Sequence, residues 1–386
     1  MHVVLVTGNQ YKRDEIARLL AGIDVSWRKV ALSRPPLPLA HLAKVRAAEA
    51  FALIGTPCIT ETTELALEGL PVMSGAEFKA QMEINGEATV CRALGGRRGR
   101  ARVAVAYAAS PDAATAQVFE GQCEGEFLQV PRGTGGHGWD RAFLPDGYTR
   151  TLGEMAGAKP FVNMRERPYL ELADKLRGRS YGGTFEAHVT VKTGTQDDVA
   201  RFAALCGELG VKHVLIELPQ GETQSQPMTA SYHHGTLNEA IQEVHAIARA
   251  LAAGGFDVTR VKLEAVGSNR DVPEDDAQAK QLPQNYFEYH VKVMLPPGAD
   301  MDALRGMIAG HNAHLSKNAR KVRADGWSER FVTLRVYRAG RRTAEVRFGA
   351  LVGLLESTGW HLGQKIREYT VYDSDVGVDR GWLPQP

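Results

Sequence analysis

A glycine-rich segment between Pro131 and Arg165 constrains this chain more than any other stretch. Four of its glycines come just before a tryptophan–aspartate pair, and a lysine and an arginine follow towards its end. Glycines at this density let backbone N–H groups approach a ligand closely. Flat side chains can stack on a base, and lysine or arginine can hold anionic oxygens. The segment therefore predicts a ligand-binding loop, with a turn-rich surface loop as the alternative. Its candidate ligand contacts are His137, Trp139, Asp140, Lys159 and Arg165.

The composition is that of a globular protein with more than one domain. A length of 386 residues predicts two or three domains, and 44% hydrophobic with 24% charged residues is ordinary for such a chain. The net charge of +1 provides no overall field for nucleic acid or membranes. The four cysteines form no C-x-x-C pair, and the sequence shows no basic leader and no bilayer-spanning apolar run. We therefore expect a cytoplasmic protein with reduced thiols and no membrane partner.

The start of the chain predicts a strand, a loop and a helix. Val3–Val6 is a short apolar run, Thr7-Gly8-Asn9 follows it, and a helix is expected from Lys12 to Leu20. Free N–H groups at a helix N-terminus attract anions, and Lys12 adds a mobile positive charge. The pattern indicates an anion site, with a merely capped helix as the alternative.

These two stretches resemble, in residue type and order, the inosine triphosphate pyrophosphatase family, whose members cleave non-canonical purine nucleoside triphosphates to monophosphate and pyrophosphate. Both the opening signature T-G-N-x-x-K-x-x-E and the later loop signature are found. The similarity covers residues 1–178 and predicts a nucleotide-binding domain there. The matching residues are Thr7, Gly8, Asn9, Lys12, Glu15, Pro131, Arg132, Gly133, Gly138, Trp139, Asp140, Phe143, Pro145, Gly147, Thr151, Glu154, Met155, Lys159 and Arg165.

The resemblance implies a fold, a substrate and a metal. The fold is α/β, with a mixed twisted sheet and helices around a cleft. The substrate is a purine nucleotide whose triphosphate contacts Thr7, Asn9 and Lys12. Mg²⁺, or alternatively Mn²⁺, would neutralise the leaving pyrophosphate. Family members usually form dimers, so a homodimer is expected. The base would contact His137, Trp139, Asp140, Lys159 and Arg165.

The predicted metal site departs from the family pattern. Where the family has [ED]-D-[ST]-G-L at a strand end, this chain has Glu61-Thr62-Thr63-Glu64-Leu65. Thr62 is a neutral hydroxyl that cannot act as a base near pH 7. The upstream acid of the family is also missing, because residues 25–45 contain no Asp or Glu. We expect Glu61 and Glu64 to bind the metal and, with Lys12, to form the catalytic set. A solvated charge at the strand end is the alternative for Glu64.

The predicted base pocket also differs from the family pattern. His137 stands where the family has a stacking aromatic residue, and Arg141 replaces a proline. Asn163-Met164-Arg165 replaces S-H-R, so a histidine that contacts the purine edge in the family is absent. An imidazole or the Trp139 ring can still supply a flat face. The sequence leaves the preferred base open.

A repeat organises the second half of the chain. Phe185–Val191 (FEAHVTV) is echoed about a hundred residues later by Phe287–Val293 (FEYHVKV). After each copy, the hydrophobic pattern predicts a helix, two strands, a second helix and a last strand. Two such βαββαβ units predict an α+β region of ferredoxin-like repeats over residues 184–270 and 284–386.

The repeat places two histidines at matching positions. His188-Val189-Thr190 and His290-Val291-Lys292 resemble, in part, the H-x-T strands of two-histidine phosphoesterases, which process cyclic or 2′-phosphorylated RNA ends. Lysine replaces the hydroxyl residue in the second copy, and packed or solvated histidines are the alternative. RNA is therefore a possible partner. A basic cluster of Lys317, Arg320, Lys321 and Arg323 could meet a nucleic-acid backbone or be solvated surface.

Two hypotheses of function follow. The first is a nucleoside triphosphate pyrophosphatase-like hydrolase with altered catalytic acids. The second is a nucleotide-binding or sensing module that has lost the chemistry and is fused to a duplicated domain, which binds a partner or acts on RNA ends. The missing acids motivate the second hypothesis, and the retained phosphate and base signatures motivate the first.

Overall fold

The chain is seen in a computed structural model that describes residues 2–20, 22–155, 159–178, 180–218, 221–316 and 326–383. It divides into two compact units, Met1–Arg179 and Ser180–Pro386. None of the helices in the described ranges has the length and apolar character needed to cross a bilayer.

The first unit is built on one mixed sheet, which has seven strands among its described residues. The strands are β1 (His2–Val6), β2 (Asp24–Arg28), β3 (Cys58–Leu67), β4 (Met73–Ser74), β5 (Arg97–Ala108), β6 (Gln117–Phe127) and β7 (Phe143–Pro145). The helices are α1 (Gln10–Leu19), α2 (Leu39–Ile54), α3 (Gly75–Asn85), α4 (Glu87–Leu94), α5 (Lys159–Val162) and α6 (Glu166–Arg177). Helices between the strands give the α/β architecture expected from the sequence.

The strand order β2-β1-β3-β5-β6-β7 leaves a gap beside β3. β1 is parallel to β3, and its last paired residue, Val6, lies opposite Thr60. The short β4 pairs with β3 only at Glu64 and Leu65. Between these two neighbours, residues 61–63 have no strand partner on that side among the described residues. A crevice at the carboxyl end of a parallel strand is where α/β sheets usually bind ligands.

Helix α2 packs closely on the centre of this sheet because both surfaces carry small side chains. Ala43, Ala47 and Ala50 of α2 are buried against Ala104 and Ala106 of β5. Small residues on both sides let the helix backbone approach the sheet. The helix ends at a glycine in the left-handed conformation, Gly55, with φ 71°, where any side chain other than hydrogen would be strained.

The second unit contains one larger sheet, with eight strands in the portion the structure describes. The strands are β8 (Gly182–Lys192), β9 (Lys212–Glu217), β10 (Ser225–Thr236), β11 (Asp257–Arg270), β12 (Tyr286–Leu295), β13 (Ala313–Leu315), β14 (Ser328–Tyr337) and β15 (His361–Asp373). The helices are α7 (Gln196–Glu208), α8 (Leu237–Ala253), α9 (Asp276–Ala279), α10 (Met301–Ala309) and α11 (Arg341–Ser357).

The strand order of the second sheet is β13-β14-β12-β15-β11-β8-β10-β9. When the strands of each copy are numbered one to four, this order reads 2-3-1-4-4-1-3-2 and is symmetric about its centre. The opening strands β8 and β12 each lie between the last and third strands of their own copy, and the second strand lies outside. The two last strands, β11 and β15, pair antiparallel and join the halves. Sequence-equivalent strands therefore occupy equivalent places in the sheet.

The two faces of the second sheet differ in chemistry. On β8, Phe185, Ala187 and Val189 are fully buried, and the alternating residues Glu186 and His188 project to the other face. That other face carries buried charges from several strands. Its largest buried ionic side chains are Arg260, Lys262, Glu264, Glu288, Arg335 and Glu368.

The segment after β15 that contains Asp379 and Trp382 crosses the polar face, and its contacts show that the second sheet is strongly curved. The Asp379 carboxylate accepts hydrogen bonds from Arg335 on β14 at 2.6 Å and from Gln226 on β10 at 3.2 Å. Four strands lie between β14 and β10, a span of about 24 Å in a flat sheet. Trp382 likewise contacts His314 on β13 and packs with Leu218 just after β9. The sheet therefore wraps its polar face around this segment.

One sequence expectation about the elements is corrected. The acidic run at Glu61–Leu65 was expected at a strand end, but β3 continues to Leu67. The reason is that β5 pairs with β3 along its whole length, from Cys58 to Leu67. The basic cluster at Lys317–Arg323 lies outside the described residues.

Candidate functional site

The candidate site begins where β1 ends. The Thr7 hydroxyl accepts a hydrogen bond from the Asn9 N–H at 3.1 Å, and the Asn9 side chain accepts one from the Lys12 N–H at 3.3 Å. These side chains hold the loop and cap α1. The N-terminus of α1 thus lies at the same end of β1 as the gap beside β3, where its free N–H groups favour an anion.

Glu61 is the centre of the site. Its carboxylate contacts the Lys12 ammonium at 2.7 Å and accepts two hydrogen bonds from Arg165, both at 3.0 Å. The Tyr169 hydroxyl adds a third donor at 3.3 Å. The sequence predicts Arg165 as a base contact, whereas its guanidinium lies on Glu61. Three elements, α1, β3 and α6, meet in this cluster.

The cations of this cluster hold Glu61 in the ionised state. Burial alone would raise the pKa of Glu61, but the charges of Arg165 and Lys12 outweigh it and lower that pKa far below its usual range. Burial lowers the pKa of Lys12, and Glu61 offsets only part of that effect. Glu61 is therefore an anion with both oxygens occupied by cations.

A second group of contacts lies around Asp140. Its carboxylate accepts one hydrogen bond from the Lys159 ammonium at 2.9 Å and another from the backbone N–H of His137 at 2.8 Å. The His137 ring is nearly parallel to the exposed Tyr11 ring, at a centroid distance of 5.9 Å and an angle of 13°. Burial and the charge of Arg165 lower the pKa of His137 to about 4. Its imidazole is thus a neutral flat surface near pH 7.

Trp139 has a different role from the one the sequence suggests. Its side chain is only 7% exposed and packs edge-on against Phe78, with ring centroids 5.5 Å apart. A ring packed in this way contributes to the core. Among the two flat side chains proposed for base stacking, His137 is the one that faces another flat ring at the surface.

Glu15 connects the two groups. Its carboxylate lies 3.9 Å from the Lys159 ammonium and 3.6 Å from the Arg165 guanidinium, and it accepts a hydrogen bond from Asn163. Its Oε2 atom is buried, lies 3.6 Å from Arg165 and accepts no hydrogen bond within the described ranges. The sequence places Glu15 in the opening signature without assigning it a contact. The structure brings it between the Glu61 cluster and the Asp140 cluster.

The carboxylates predicted to bind a metal are not brought together. Glu61 and Glu64 are three residues apart on one strand, so their side chains leave opposite faces of the sheet. Glu61 is held by Lys12 and Arg165, and Glu64 lies 2.7 Å from the Arg102 guanidinium. Nowhere in the described ranges do three or more His, Cys, Asp or Glu side chains converge as metal ligands. As placed, these side chains do not fit a divalent cation shared by Glu61 and Glu64.

The second-unit candidates lie on the polar face but apart from each other. His188 Nε2 lies 3.3 Å from Glu264, and His290 Nε2 lies 3.5 Å from Glu368. β11 and β15 separate the two histidine strands, which puts those strands roughly 14 Å apart. Thr190 is buried, and Lys292 pairs with Glu329 at 3.0 Å. Each histidine therefore has its own glutamate rather than a common phosphate position.

Comparisons with known proteins match the first unit. Over 160 residues the chain is 36% identical to inosine triphosphate pyrophosphatase 2 of Trypanosoma cruzi, a stretch that covers 40% of this chain and 80% of that protein. The sequence model of the Ham1 family matches residues 3–174. The chain belongs to the Ham1 family. The matched region, residues 3–174, is called the Ham1 region below.

Other relatives match the same region. A dITP/XTP pyrophosphatase of Deinococcus deserti is 33% identical over 165 residues, which cover 40% of this chain and 78% of that protein. Among solved structures, a HAM1 protein from Coxiella burnetii aligns with a TM-score of 0.41 and 20% identity, covering 46% of this chain and 99% of that one. Both clusters described above lie inside the Ham1 region.

Sequence reasoning missed several residues of the Ham1 site. Tyr169 lies on the buried side of α6, and no motif marks it. Tyr11 occupies an unspecified position of the opening signature. Arg46 donates a hydrogen bond to the Thr62 hydroxyl at 3.2 Å. The threonine at position 62 is the signal that could have revealed Arg46. A side chain next to that position would meet a neutral hydroxyl instead of the carboxylate of the family pattern.

Proposed function

We propose that the Ham1 region hydrolyses a purine nucleoside triphosphate to the monophosphate and pyrophosphate. The observation that carries this proposal is the adjacency of two clusters: the ionic cluster at Glu61 and the group of contacts at Asp140 and His137, linked by Glu15. The names of the relatives, inosine triphosphate and dITP/XTP pyrophosphatases, support the substrate class. In this proposal the triphosphate lies at the N-terminus of α1, and the base lies on His137.

Each side chain has a separate task in this proposal. Lys12 binds phosphate oxygens from the first turn of α1, where the helix N-terminus adds positive potential. Asp140 and Lys159 supply an acceptor and a donor for the edge of the base, and neutral His137 supplies a stacking face. Glu61 keeps Lys12 and Arg165 in place. Both cations therefore face the phosphates in a fixed geometry.

The reaction transfers the α-phosphoryl group to water. A water oxygen attacks the α-phosphorus, the bond from that phosphorus to the bridging oxygen breaks, and pyrophosphate leaves with the bond's electron pair. One proton from the water must be accepted. Glu15 Oε2 is a buried carboxylate oxygen that lies 3.6 Å from the Arg165 guanidinium and accepts no hydrogen bond from the described residues. We therefore assign to Glu15 the orientation of the water and the acceptance of its proton. Glu64 points away from Glu61 and pairs with Arg102 at 2.7 Å, so it has no step here.

The cofactor stays a prediction. Mg²⁺, or alternatively Mn²⁺, follows from the resemblance alone, and the positions of Glu61 and Glu64 give it no shared site. When bound to a triphosphate, such an ion neutralises the leaving pyrophosphate. The steps above are those of the chain's own side chains.

Pyrophosphate release from a panel of ATP, GTP, ITP, XTP and their deoxy forms tests the proposal. Each nucleotide is assayed with Mg²⁺, with Mn²⁺ and with a chelator. Glu15→Gln is expected to lower kcat while leaving nucleotide affinity nearly unchanged, because the amide keeps the shape but cannot take the proton. Absence of turnover with every nucleotide and ion would remove the hydrolase proposal.

A second candidate function is a nucleotide reader without hydrolysis. The observation that favours it is Thr62, whose hydroxyl accepts from Arg46 where a carboxylate is expected. In this case the Ham1 region binds the nucleotide, and the second unit responds to it or acts on RNA ends. Nucleotide binding measured by calorimetry, together with no turnover in the same preparation, would establish the reader.

We also propose that the second unit is a pair of ferredoxin-like repeats, residues 184–270 and 284–386, next to a first domain of residues 1–178. The order of helices and strands in each copy and the matching strand positions support it. A homodimer and a cytoplasmic location stay predictions from the sequence. Sedimentation of the whole chain would test the dimer.

A further inference from the structure

Among the described residues, Arg46 forms no ion pair with a carboxylate. Its Nη1 donates to the Thr62 hydroxyl at 3.2 Å, and its buried Nε atom has no hydrogen-bond partner in the described part of the chain. The hydroxyl is neutral, so it does not balance the charge. A guanidinium has five N–H donors that suit carboxylate or phosphate oxygens. The site therefore has an unused capacity for an anion.

The nearest acid on α2 is already committed. Glu49 accepts hydrogen bonds from the Ser33 N–H at 2.9 Å and from the Ser33 hydroxyl at 2.6 Å. These bonds fasten the segment that carries Arg34. Burial and the charge of Arg34 lower the pKa of Arg46 by more than the charge of Glu49 raises it. In the part of the chain that is described, neither arginine has a carboxylate within 4 Å.

The position of the two arginines relates them to the phosphate site. The Thr7 N–H donates to the carbonyl of Arg28, the last residue of β2, at 2.9 Å. The segment after β2, which carries Arg34, therefore starts beside the loop that leads into α1. After the burial of Lys12 itself and its contacts with Glu61 and Arg165, the charge of Arg34 also lowers the pKa of Lys12. Arg34 follows Ser33, which is bonded to Glu49 one turn along α2 from Arg46, so its segment runs from the phosphate loop to the α2 side of β3.

The same gap lacks the acids that a metal would need. Position 62 is a threonine, residues 25–45 contain no acid, and Glu61 is neutralised by Lys12 and Arg165. Mg²⁺ in phosphate sites commonly uses one or two carboxylates together with phosphate oxygens. Here the free charges at the gap are positive. A triphosphate is the anion that such a charge distribution attracts.

We infer that Arg34 and Arg46 bind the phosphate chain of the nucleotide directly and take the place of a bridging metal ion. This inference rests on the proposed function for the identity of the ligand. Arg46 approaches the chain from the α2 side of β3, Arg34 from the segment after β2, and Lys12 from α1. The three cations surround the phosphates without a metal bridge.

Calorimetric binding of inorganic tripolyphosphate to the whole chain tests the inference without any turnover. Tripolyphosphate is titrated into the unaltered chain twice, once in the presence of EDTA and once in the presence of Mg²⁺. Arg46→Ala and Arg34→Ala are each expected to weaken binding by about tenfold or more, the loss of one charge-assisted hydrogen bond. Arg46→Lys should recover part of the affinity. The matched control is Arg100→Ala, an exposed arginine on the same sheet that pairs with Glu124.

A reverse variant tests the exchange between arginine and metal. Thr62→Asp places a carboxylate against Arg46, so tripolyphosphate binding should fall in EDTA and recover with Mg²⁺. Arg34 is exposed, so Arg34→Ala reports on binding even if Arg46→Ala unfolds the chain.

Three results would overturn the inference: no tripolyphosphate binding by the unaltered chain, binding that disappears in EDTA, or arginine variants that bind as tightly as Arg100→Ala. The binding measurement does not require hydrolysis of the probe. If no pyrophosphate is released but tripolyphosphate binding is intact and depends on the arginines, the hydrolase proposal is removed and the inference stands. Mg²⁺-dependent turnover, together with tripolyphosphate binding that neither arginine variant changes, supports the hydrolase and removes the inference.

Discussion

The two units both bury ionic clusters, but the clusters are built differently. In the first unit, Lys12 is 22% exposed and its partner Glu61 lies beside a gap in the sheet. Arg46, which reaches that gap at Thr62, pairs with no carboxylate among the described residues. In the second unit, Arg335 is 1% exposed and is shared between Glu288 and Asp379, both at 2.6 Å. An accessible cluster with surplus charge can accept a ligand, whereas an enclosed and balanced one holds strands together.

Histidines show the same contrast. His137 has its pKa lowered to about 4 by burial and by the charge of Arg165. His188 and His290 are also buried, which lowers a histidine pKa, but hydrogen bonds to Glu264 and Glu368 outweigh it and raise both pKa values. A neutral ring suits contact with a base. A ring whose protonated form is favoured by neighbouring glutamates suits an internal ion pair.

The largest expected effect is on the stability of the second unit. Arg335→Ala would leave Glu288 and Asp379 buried without this partner, which costs about 3–5 kcal/mol. Urea unfolding and hydrogen exchange in the second sheet measure the loss. The matched control is Arg367→Ala, because Arg367 is 47% exposed and pairs with Glu345; its cost should be about 0–1 kcal/mol. Equal unfolding of the two variants would break the comparison.

The next effect is on the pH dependence of stability, which has opposite signs for His137 and for the pair His188 and His290. The unfolded chain protonates His137 near pH 6.5 and the folded chain only near 4. The unfolded state therefore binds more protons in that window, and the first unit loses up to about 3 kcal/mol as pH falls through it. For His188 and His290 the folded pKa is raised, so their contribution is full below the unfolded pKa of 6.5 and is lost as pH rises through the folded value.

Proton NMR of the histidine rings measures both directions. Substitution of each histidine by asparagine assigns its signal. His137 should titrate near pH 4, and His188 and His290 above pH 6.5. A His137 signal that titrates at or above the value of an unfolded histidine would contradict the closed, cation-rich surroundings described for it.

A smaller effect separates ligand binding from stability in the first unit. Lys12→Ala should weaken ITP binding by about 1.5–3 kcal/mol, the worth of a hydrogen bond to a charged group. Its effect on unfolding should be less than that of Arg335→Ala, because Arg165 still neutralises Glu61. Lys79→Ala, on the exposed side of α3, is the control. Unchanged ITP affinity in Lys12→Ala would show that the α1 N-terminus is not the phosphate site.

The smallest effect concerns the base. Tyr11→Ala removes the ring that lies parallel to His137 and should cost ITP binding about 0.5–1.5 kcal/mol. Tripolyphosphate, which has no base, should bind unchanged. Trp27→Ala is a matched control, because Trp27 is exposed and contacts Arg13 rather than the base pocket. An equal loss of tripolyphosphate binding would place Tyr11 on the phosphate side.

Local patterns predicted much of this fold. The apolar run at Val3–Val6 and the T-G-N loop gave β1 and the start of α1, and the FE-x-HV-x-V echo located β8 and β12. Such elements are recognisable because their periodicity and caps are encoded in neighbouring residues. The extent of β3 was not predicted, since its pairing with β5 depends on residues 32 to 50 positions away.

Partners of the site residues were harder to predict than the site residues themselves. The family signatures brought Lys12, Glu61, Asp140 and Lys159 to attention, and all four lie in two linked clusters. The occupation of Glu61 by Arg165 joins residues 104 positions apart, and sequence spacing cannot show it. Glu64 was predicted beside Glu61, but side chains at odd spacing on a strand leave opposite faces.

The identity of the products tests the central claim most directly. Phosphorus NMR of ITP incubated with the chain, with Mg²⁺ and with a chelator, distinguishes cleavage at the α-phosphorus from cleavage at the γ-phosphorus. The account predicts signals of monophosphate and pyrophosphate in the unaltered chain and in Lys79→Ala, and their loss in Lys12→Ala. Release of inorganic phosphate with a diphosphate product, or turnover that survives Lys12→Ala, would contradict it.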